Sequence, residues 1–186
     1  GEKYIEFVGD VNFTNCNFHI SADITELDAV LKTKGLYKTG EGFCNVQAAL
    51  FANALRIKGK SLTDLNAHIN YDPNRRMWST ENLIAHFYGG RLAGKLEFKL
   101  PTTLETESEK SLTGPTVSDF EYLLQAGFDN IDLKQFLSDA GPGEASYSDY
   151  TSGKMNGSLS ISTAVGNDYS QIGRCRLKIT DMQVGR

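Results

Sequence analysis

Residues 83–100, LIAHFYGGRLAGKLEFKL, contain two runs of alternating apolar and polar side chains joined by Gly89-Gly90. The apolar positions are every second residue in both runs: Leu83, Ala85 and Phe87 in the first, then Leu92, Gly94, Leu96, Phe98 and Leu100 in the second. Alternation with period two is typical of a strand that buries one face, and a Gly-Gly pair is typical of a tight turn. The stretch therefore predicts an antiparallel hairpin with one apolar face.

The same alternation extends over most of the chain. Rows with an apolar side chain at every second position occupy residues 65–71, 120–128, 155–161 and 173–179. Turn-forming residues separate the rows, as at Gly59-Lys60, Asp72-Pro73-Asn74 and Gly166-Asn167-Asp168. The sequence therefore predicts a mainly β fold built from an antiparallel sheet.

Two short segments have the apolar spacing of a helix instead. In residues 24–31, Asp23 is a suitable N-cap; in residues 131–140, Asn130 is a suitable N-cap and Gly141-Pro142 ends the segment. These segments predict two short helices, the minor α component of the fold.

An internal echo links residues 90–98, GRLAGKLEF, with residues 153–161, GKMNGSLSI. Glycine inside a strand costs stability, and it occurs where a sheet bends or another backbone comes close. Gly94 and Gly157 lie on the apolar side of their strands, which favours a sheet strongly curved around its apolar face, like a groove or half-barrel. The alternative is two ordinary strands that share the same turn.

The 186 residues are interpreted as one β-rich domain, residues 1–186, because a chain of this length can bury about 70% of its extended surface. Residues 101–118, rich in Thr, Ser and Glu, divide two partly similar halves as a loop or a linker, and we favour the loop. Residues 141–153 also have loop composition. Both termini look cut, so we expect a fragment of a longer protein.

Composition and charge exclude some classes of function. The net charge is −4, which makes bulk electrostatic binding of nucleic acid unfavourable. No apolar stretch is long enough for a transmembrane helix, and no signal peptide is present, so we expect any anchor in a segment absent here.

No pattern of residues predicts a catalytic site, a metal site or a cofactor. Gly59-Lys60-Ser61 lacks the earlier glycine of a phosphate-binding loop. Cys16, Cys44 and Cys175 have no paired spacing; one disulfide with a spare thiol is an alternative, but we favour three small buried apolar residues. We expect His68 and His86 to be exposed strand residues rather than metal ligands with Asp72 or Glu81.

Residues 83–94, LIAHFYGGRLAG, resemble the C-terminal region of AsmA-like proteins, where a strand ends in a Tyr-Gly-Gly turn and the next begins with Arg-Leu-x-Gly. The second half is similar to the family's repeat: residues 128–133 lead into a short helix, a strand starts at Gly153, and residues 172–179 form a closing strand. The closing motif departs from the family at Gln171. The resemblance covers about residues 45–100 and 119–182.

The family, which includes AsmA and TamB, consists of envelope proteins of bacteria with two membranes. The resemblance implies a periplasmic domain, anchored in the membrane through a segment absent here, that shelters or conducts phospholipid and contributes to outer-membrane assembly. It implies no catalytic residue and no cofactor. The resemblance thus implies two partners for this domain: phospholipid and the rest of the longer protein to which the domain belongs.

An acyl chain requires a continuous apolar trough, and the curved sheet offers one. The predicted lipid contacts are the apolar residues of the two echoed strands: Leu92, Leu96, Phe98, Met155, Leu159 and Ile161. The predicted wet face carries Arg91, Lys95, Glu97, Lys99, Arg174, Arg176 and Lys178. One alternative is that the apolar rows pack on the two helices or on a second sheet.

Two further alternatives concern edges and tips. The domain is alternatively a structural module that joins neighbouring domains or subunits edge to edge through an end strand, residues 177–184. Trp78, which follows Arg75 and Arg76, either contacts lipid headgroups from an exposed tip or folds back over the sheet.

Overall fold

The computed structural model describes residues 3–19, 23–99, 121–139, 151–163 and 171–185. Within these residues the chain forms nine strands and one short helix: β1 (Tyr4–His19), β2 (Asp23–Lys38), β3 (Gly42–Ile57), β4 (Lys60–Asp72), β5 (Met77–Phe87), β6 (Gly90–Lys99), β7 (Glu121–Asp132), α1 (Leu133–Ser138), β8 (Thr151–Thr163) and β9 (Gln171–Val184). The prediction of a mainly β fold is confirmed.

All nine strands belong to one antiparallel sheet whose spatial order is the order of the sequence, β1 to β9. Each strand therefore pairs only with its neighbours along the chain, and β1 and β9 form the two edges of an open sheet. The hairpin that residues 83–100 predict is β5–β6, with Phe87 paired to Gly90 across the turn.

The strand register places the apolar rows on one face of the sheet. Residues paired across neighbouring strands lie on the same face, and Leu96 of β6 pairs with Thr80 of β5 and with Leu124 of β7. Leu124 in turn pairs with Ile161 of β8. We call this side the apolar face and the opposite side the polar face.

The predicted helix over residues 24–31 is wrong, because these residues lie inside β2. Glu26 has a φ of 55° and forms a β-bulge between the paired residues Thr25 and Asp28. The extra residue separates Ile24 from Leu27 by three positions while both remain on the apolar face. The bulge therefore produced a helix-like spacing in a strand.

The second predicted helix exists but is shorter than residues 131–140. Helix α1 spans Leu133–Ser138, and its N-cap is Asp132, whose side chain accepts a hydrogen bond from the Gln135 amide at 3.0 Å. Ile131 and Asp132 belong to β7. Residues 101–118 lie outside the described residues, as do residues 141–150, whereas residues 151–153 begin β8.

Bulges concentrate at the end of the sheet where β7 continues into α1, which we call the helix end. Five residues with left-handed φ angles between 48° and 56° occupy strand positions near this end: Asn15, Glu26, Asp64, Asn130 and Asp181. Side-chain oxygens bind the freed backbone amides, as Asp28 does for Asn15 at 2.7 Å. A bulge bends and twists its strand, so the sheet curves here.

The two glycines of the echoed strands permit close packing between strands. A Cβ at Gly94 would lie 2.4 Å from the carbonyl oxygen of Gln125, and one at Gly157 would lie 2.2 Å from that of Arg176. The ring of Phe128 covers Gly157 on the apolar face, with ring atoms 2.7 Å from the same Cβ position. Both glycines therefore satisfy the close-approach explanation derived from the sequence.

Two clusters of buried side chains lie at the helix end, and Val46, Ala67 and Ala126 are buried farther along the sheet. One joins β2 to β5 through Leu27, Ala29, Ala52, Leu55, Leu62 and Ala85. The other joins β7, α1 and β8 through Ile131, Leu133 and Met155. Ile131 is 0% exposed, so the sheet is most tightly packed beneath α1.

Candidate lipid-binding face

The apolar face extends across all nine strands, and α1 is the one other element packed on the sheet in the described part of the chain. No second sheet covers this face within the described ranges. Large apolar side chains on it remain accessible away from α1: Ile5 is 56% exposed, Phe43 50% and Leu177 51%. Among the described residues, the face is therefore an open apolar surface that α1 covers at one end.

All six predicted lipid contacts lie on the apolar face. Leu92, Leu96 and Phe98 come from β6, the other three come from β8, and side chains of β7 lie between the two groups. Five of the six are half-buried, but Met155 is buried in the cluster under α1. The expectation that Met155 contacts lipid is thus at odds with its place in the core, because the helix covers it.

A row of aromatic side chains crosses the apolar face at the end opposite the helix, which we call the aromatic end. Tyr71, Trp78, Phe98 and Tyr122 are successive cross-strand partners on β4 to β7. The rings of Tyr71 and Trp78 lie 4.8 Å apart. Trp78 therefore packs back on the sheet, which is the second of the two arrangements predicted for it.

Two further aromatic contacts continue this end toward β1. Phe43 at the start of β3 lies edge-on to Tyr37, with ring centroids 5.5 Å apart, and to Phe7, at 5.9 Å. Sequence reasoning missed the row because its members are distant along the chain. Their shared position, one or two residues from a strand end, becomes visible only with the register.

Helix α1 closes the helix end by reaching from β7 to β3 and β4. The ring of Phe136 packs against Phe87 and Tyr88, with centroids 5.9 Å and 5.7 Å apart. The Lys60 ammonium lies 4.7 Å above the Phe136 ring and donates hydrogen bonds to the carbonyls of Phe136 at 3.0 Å and Asp139 at 2.5 Å. A cation thus satisfies the carbonyl end of the helix.

Asp139, directly after α1, fixes the helix to the sheet. Its carboxylate accepts hydrogen bonds from Arg56 at 2.5 Å, from the Ser61 amide at 3.2 Å and from the Tyr88 hydroxyl. Arg56 and Asp139 are 83 residues apart in the sequence. Because β3 and β7 are not adjacent strands, this contact requires the sheet to bend around α1.

The electrostatics of this network stabilise the ionised carboxylate. Burial raises the pKa of Asp139, but hydrogen bonds from Tyr88, Arg56 and the Ser61 amide outweigh it and hold the pKa below its ordinary value. The hydrogen bond to Asp139 raises the pKa of Arg56. Burial, followed by the hydrogen bond to Asp139, raises the pKa of Tyr88 well above its ordinary value.

The polar face carries the charged side chains as predicted. The register places the seven residues of the predicted wet face there, beginning with Arg91 and ending with Lys178. An open depression of about 1050 Å³ on this side includes Lys95, Ser158, Ser160 and Arg176, and a second of about 600 Å³ lies beside Arg75. Neither depression is an enclosed apolar cavity.

The polar residues that sequence reasoning examined as metal ligands lie on β4 and β5. The described residues contain no group of three His, Cys, Asp or Glu side chains that could hold a metal. His86 is exposed and contacts Asp64 at 3.0 Å. All three cysteines are free. Cys16 and Cys44 are half-buried and Cys175 is exposed, so the prediction of three buried residues is wrong. Cys175 is the most accessible because an edge strand lacks a neighbour on one side.

Comparison with known proteins yields no relative: neither family models, nor curated proteins, nor solved structures match the chain. None of the described helical residues forms a segment of the length and hydropathy that crossing a membrane requires. The geometry of the sheet is therefore the basis for the proposed function.

Proposed function

We propose that this domain is non-enzymatic and shelters the acyl chains of phospholipid on its apolar face. The observation that carries the proposal is that apolar rows from all nine strands share one face, which, among the described residues, α1 covers at the helix end. Contiguous exposed apolar surfaces of this extent are typical of interaction sites and lipid-contacting faces. The free energy of burying such a surface favours an apolar occupant.

The two ends of the face give the bound lipid a direction. Aromatic side chains favour the boundary between apolar and polar surroundings, and the row of Tyr71, Trp78, Phe98 and Tyr122 lies at the open end. The proposal therefore places the headgroup at the aromatic end and the acyl tails toward α1. Leu96, Leu124 and Ile161, paired across β6 to β8, line the path between them.

The resemblance to AsmA-like proteins adds a cellular location to the proposal. We propose on this basis that the domain lies in the periplasm of a bacterial envelope, anchored through a further segment of the same protein, with a role in outer-membrane assembly. Phospholipid and the rest of the same chain are the proposed partners. Neither nucleic acid nor a cofactor has a part in it.

Photocrosslinking tests the proposal at two neighbouring positions on opposite faces. Leu124 points to the apolar face and Gln125 to the polar face of β7. Each is replaced in turn by benzoylphenylalanine, the protein is purified from bacterial envelopes without detergent, and mass spectrometry of the irradiated protein identifies lipid adducts. We expect phospholipid adducts from position 124 and none from position 125.

Organic extraction of the unmodified protein supplies the second readout. A stoichiometric amount of phospholipid in the extract supports the proposal. The proposal fails if the extract contains no lipid and both positions give equal yields of adduct, since the apolar face then offers no preferred site.

A further inference from the structure

The exposed apolar side chains of the sheet concentrate on its two edge strands. Of the large apolar residues that are exposed in the described part of the chain, two thirds belong to the edges: Tyr4, Ile5, Val8, Val11 and Phe18 on β1, and Ile172, Leu177, Ile179, Met182 and Val184 on β9. Neither strand contains proline. An edge strand also presents unpaired backbone amides and carbonyls, so both edges can accept another strand.

The polar side of β9 carries three basic side chains in succession. Arg174, Arg176 and Lys178 occupy alternate positions, and their partners on β8 are the neutral residues Ser160, Ser158 and Asn156. All three cations are exposed, and none takes part in an ion pair or hydrogen bond within the described residues. In a chain whose net charge is −4, this edge is a local positive stripe.

The polar side of β1 carries acids at a matching interval. Glu6 and Asp10 are exposed and four residues apart, the same interval that separates Arg174 from Lys178. Lys32 and Lys34 of β2 lie on the same face behind them, but they form no ion pair with these acids in the described structure. The outermost charges of the two edges are therefore opposite in sign.

We infer that β9 of one molecule pairs with β1 of a second copy of this chain, in parallel. Eight antiparallel steps separate the two edges, so β1 and β9 point the same way, and a second copy in the same orientation continues both faces. Symmetric pairing of two β9 edges would juxtapose cations, and symmetric pairing of two β1 edges would juxtapose acids. Like charges directly opposite one another destabilise a strand pair.

The two faces of the sheet and the bulges in β1 and β9 limit how these two strands can be aligned. The regular part of β1, Tyr4 to Phe13, precedes a bulge, and the regular part of β9, Gln171 to Thr180, precedes another. Continuity of the apolar face requires an even offset, and among the even offsets the charges favour the one that aligns Glu6 with Arg174 and Asp10 with Lys178. This inference goes beyond the proposed lipid function and does not depend on it.

Such an interface is heterologous, so its assemblies do not stop at a dimer. Sedimentation velocity over a wide range of protein concentration tests it. We expect a series of species that grows with concentration past the dimer. A protein that remains monomeric throughout, or that stops at a dimer, overturns the inference.

Charge reversal identifies the surfaces involved. Two double variants are each expected to lose assembly alone: Glu6→Lys with Asp10→Lys, and Arg174→Glu with Lys178→Glu. In the first variant both edges are basic, and in the second both are acidic, so the edges of two identical molecules repel each other. Mixing the two variants is expected to restore assembly, since the reversed β1 of one meets the reversed β9 of the other. Restoration also proves that both variants are folded.

A matched control separates the edges from the total charge. Arg91→Glu with Lys58→Glu makes the same change in net charge as the β9 variant, at exposed positions away from both edges, and it is expected to assemble as the original protein does. If this control also loses assembly, or if the mixture of edge variants stays monomeric, the pairing of β9 with β1 is wrong.

Discussion

The two ends of the apolar face are built from similar apolar side chains but reach opposite states of burial. At the helix end, Ile131 is 0% exposed, and Asp139 joins α1 to β3, β4 and the β5–β6 turn. At the aromatic end, rings pack against one another along the sheet, and Phe43 stays 50% exposed. The comparison teaches that a large side chain of this sheet, such as that of Ile131, becomes fully buried where a second element packs on it.

The largest expected difference comes from the same substitution, isoleucine to alanine, made at each end of the apolar face. Ile131→Ala should lower the free energy of unfolding by about 3 kcal/mol, because it leaves a cavity beneath α1. Ile5→Ala, on the exposed part of the same face, should cost under about 1 kcal/mol. Urea denaturation followed by circular dichroism measures both. Equal losses would mean that α1 does not create a local core.

Asp139→Ala should produce the next largest effect. It leaves Arg56, Tyr88 and the Ser61 amide without their shared acceptor, which costs about 2 kcal/mol for a partly buried charged group. Hydrogen exchange should show faster opening of α1 and of the start of β4, with the aromatic end unaffected. As a control, Asp129→Ala changes an exposed aspartate of β7 on the polar face. Uniform loosening of all strands would contradict a local role.

Acid should loosen the helix end by a smaller amount. Hydrogen bonds lower the pKa of Asp139 as described above, and the Gln135 amide, opposed by burial and assisted by Lys154, lowers the pKa of Asp132. A carboxyl whose pKa is lower in the folded state stabilises the protein above its unfolded pKa, and this contribution is lost as the pH falls through the folded value.

The free energy of unfolding should therefore fall as the pH is lowered below about 5, and it should fall less in the double variant Asp132→Ala with Asp139→Ala. Urea denaturation across this range gives both slopes. Identical slopes for the variant and the original protein would show that these two carboxylates are not coupled to folding.

The alternation of side chains predicted the two faces of the sheet well. Successive side chains of a strand point to opposite faces, whichever strand it pairs with. Leu92, Leu96 and Phe98, for example, lie on one face as their spacing requires. The pattern failed at bulges. Glu26 inserts one residue between Ile24 and Leu27, and the same insertion at Asn130 separates Phe128 from Ile131. Local sequence does not distinguish such a bulge from a helical turn.

The contacts between distant strands were beyond sequence reasoning. The bond between Arg56 and Asp139 depends on where α1 lies after β7, and the aromatic row depends on the registers of three strand pairs. The tight turns were better determined, since Lys58-Gly59 and Tyr88-Gly89 both have the left-handed φ angles that Gly-containing hairpins favour.

The meander order of the strands has consequences for how this molecule folds and for how its sheet can gain or lose strands. Every pairing joins segments adjacent in the sequence, so folding can add one hairpin at a time without closing long loops. Insertion or loss of a whole hairpin would alter the width of the sheet by roughly 10 Å and leave the other registers intact. Gene duplication can thus change the width of the sheet in steps of one hairpin and preserve the division between its apolar and polar faces.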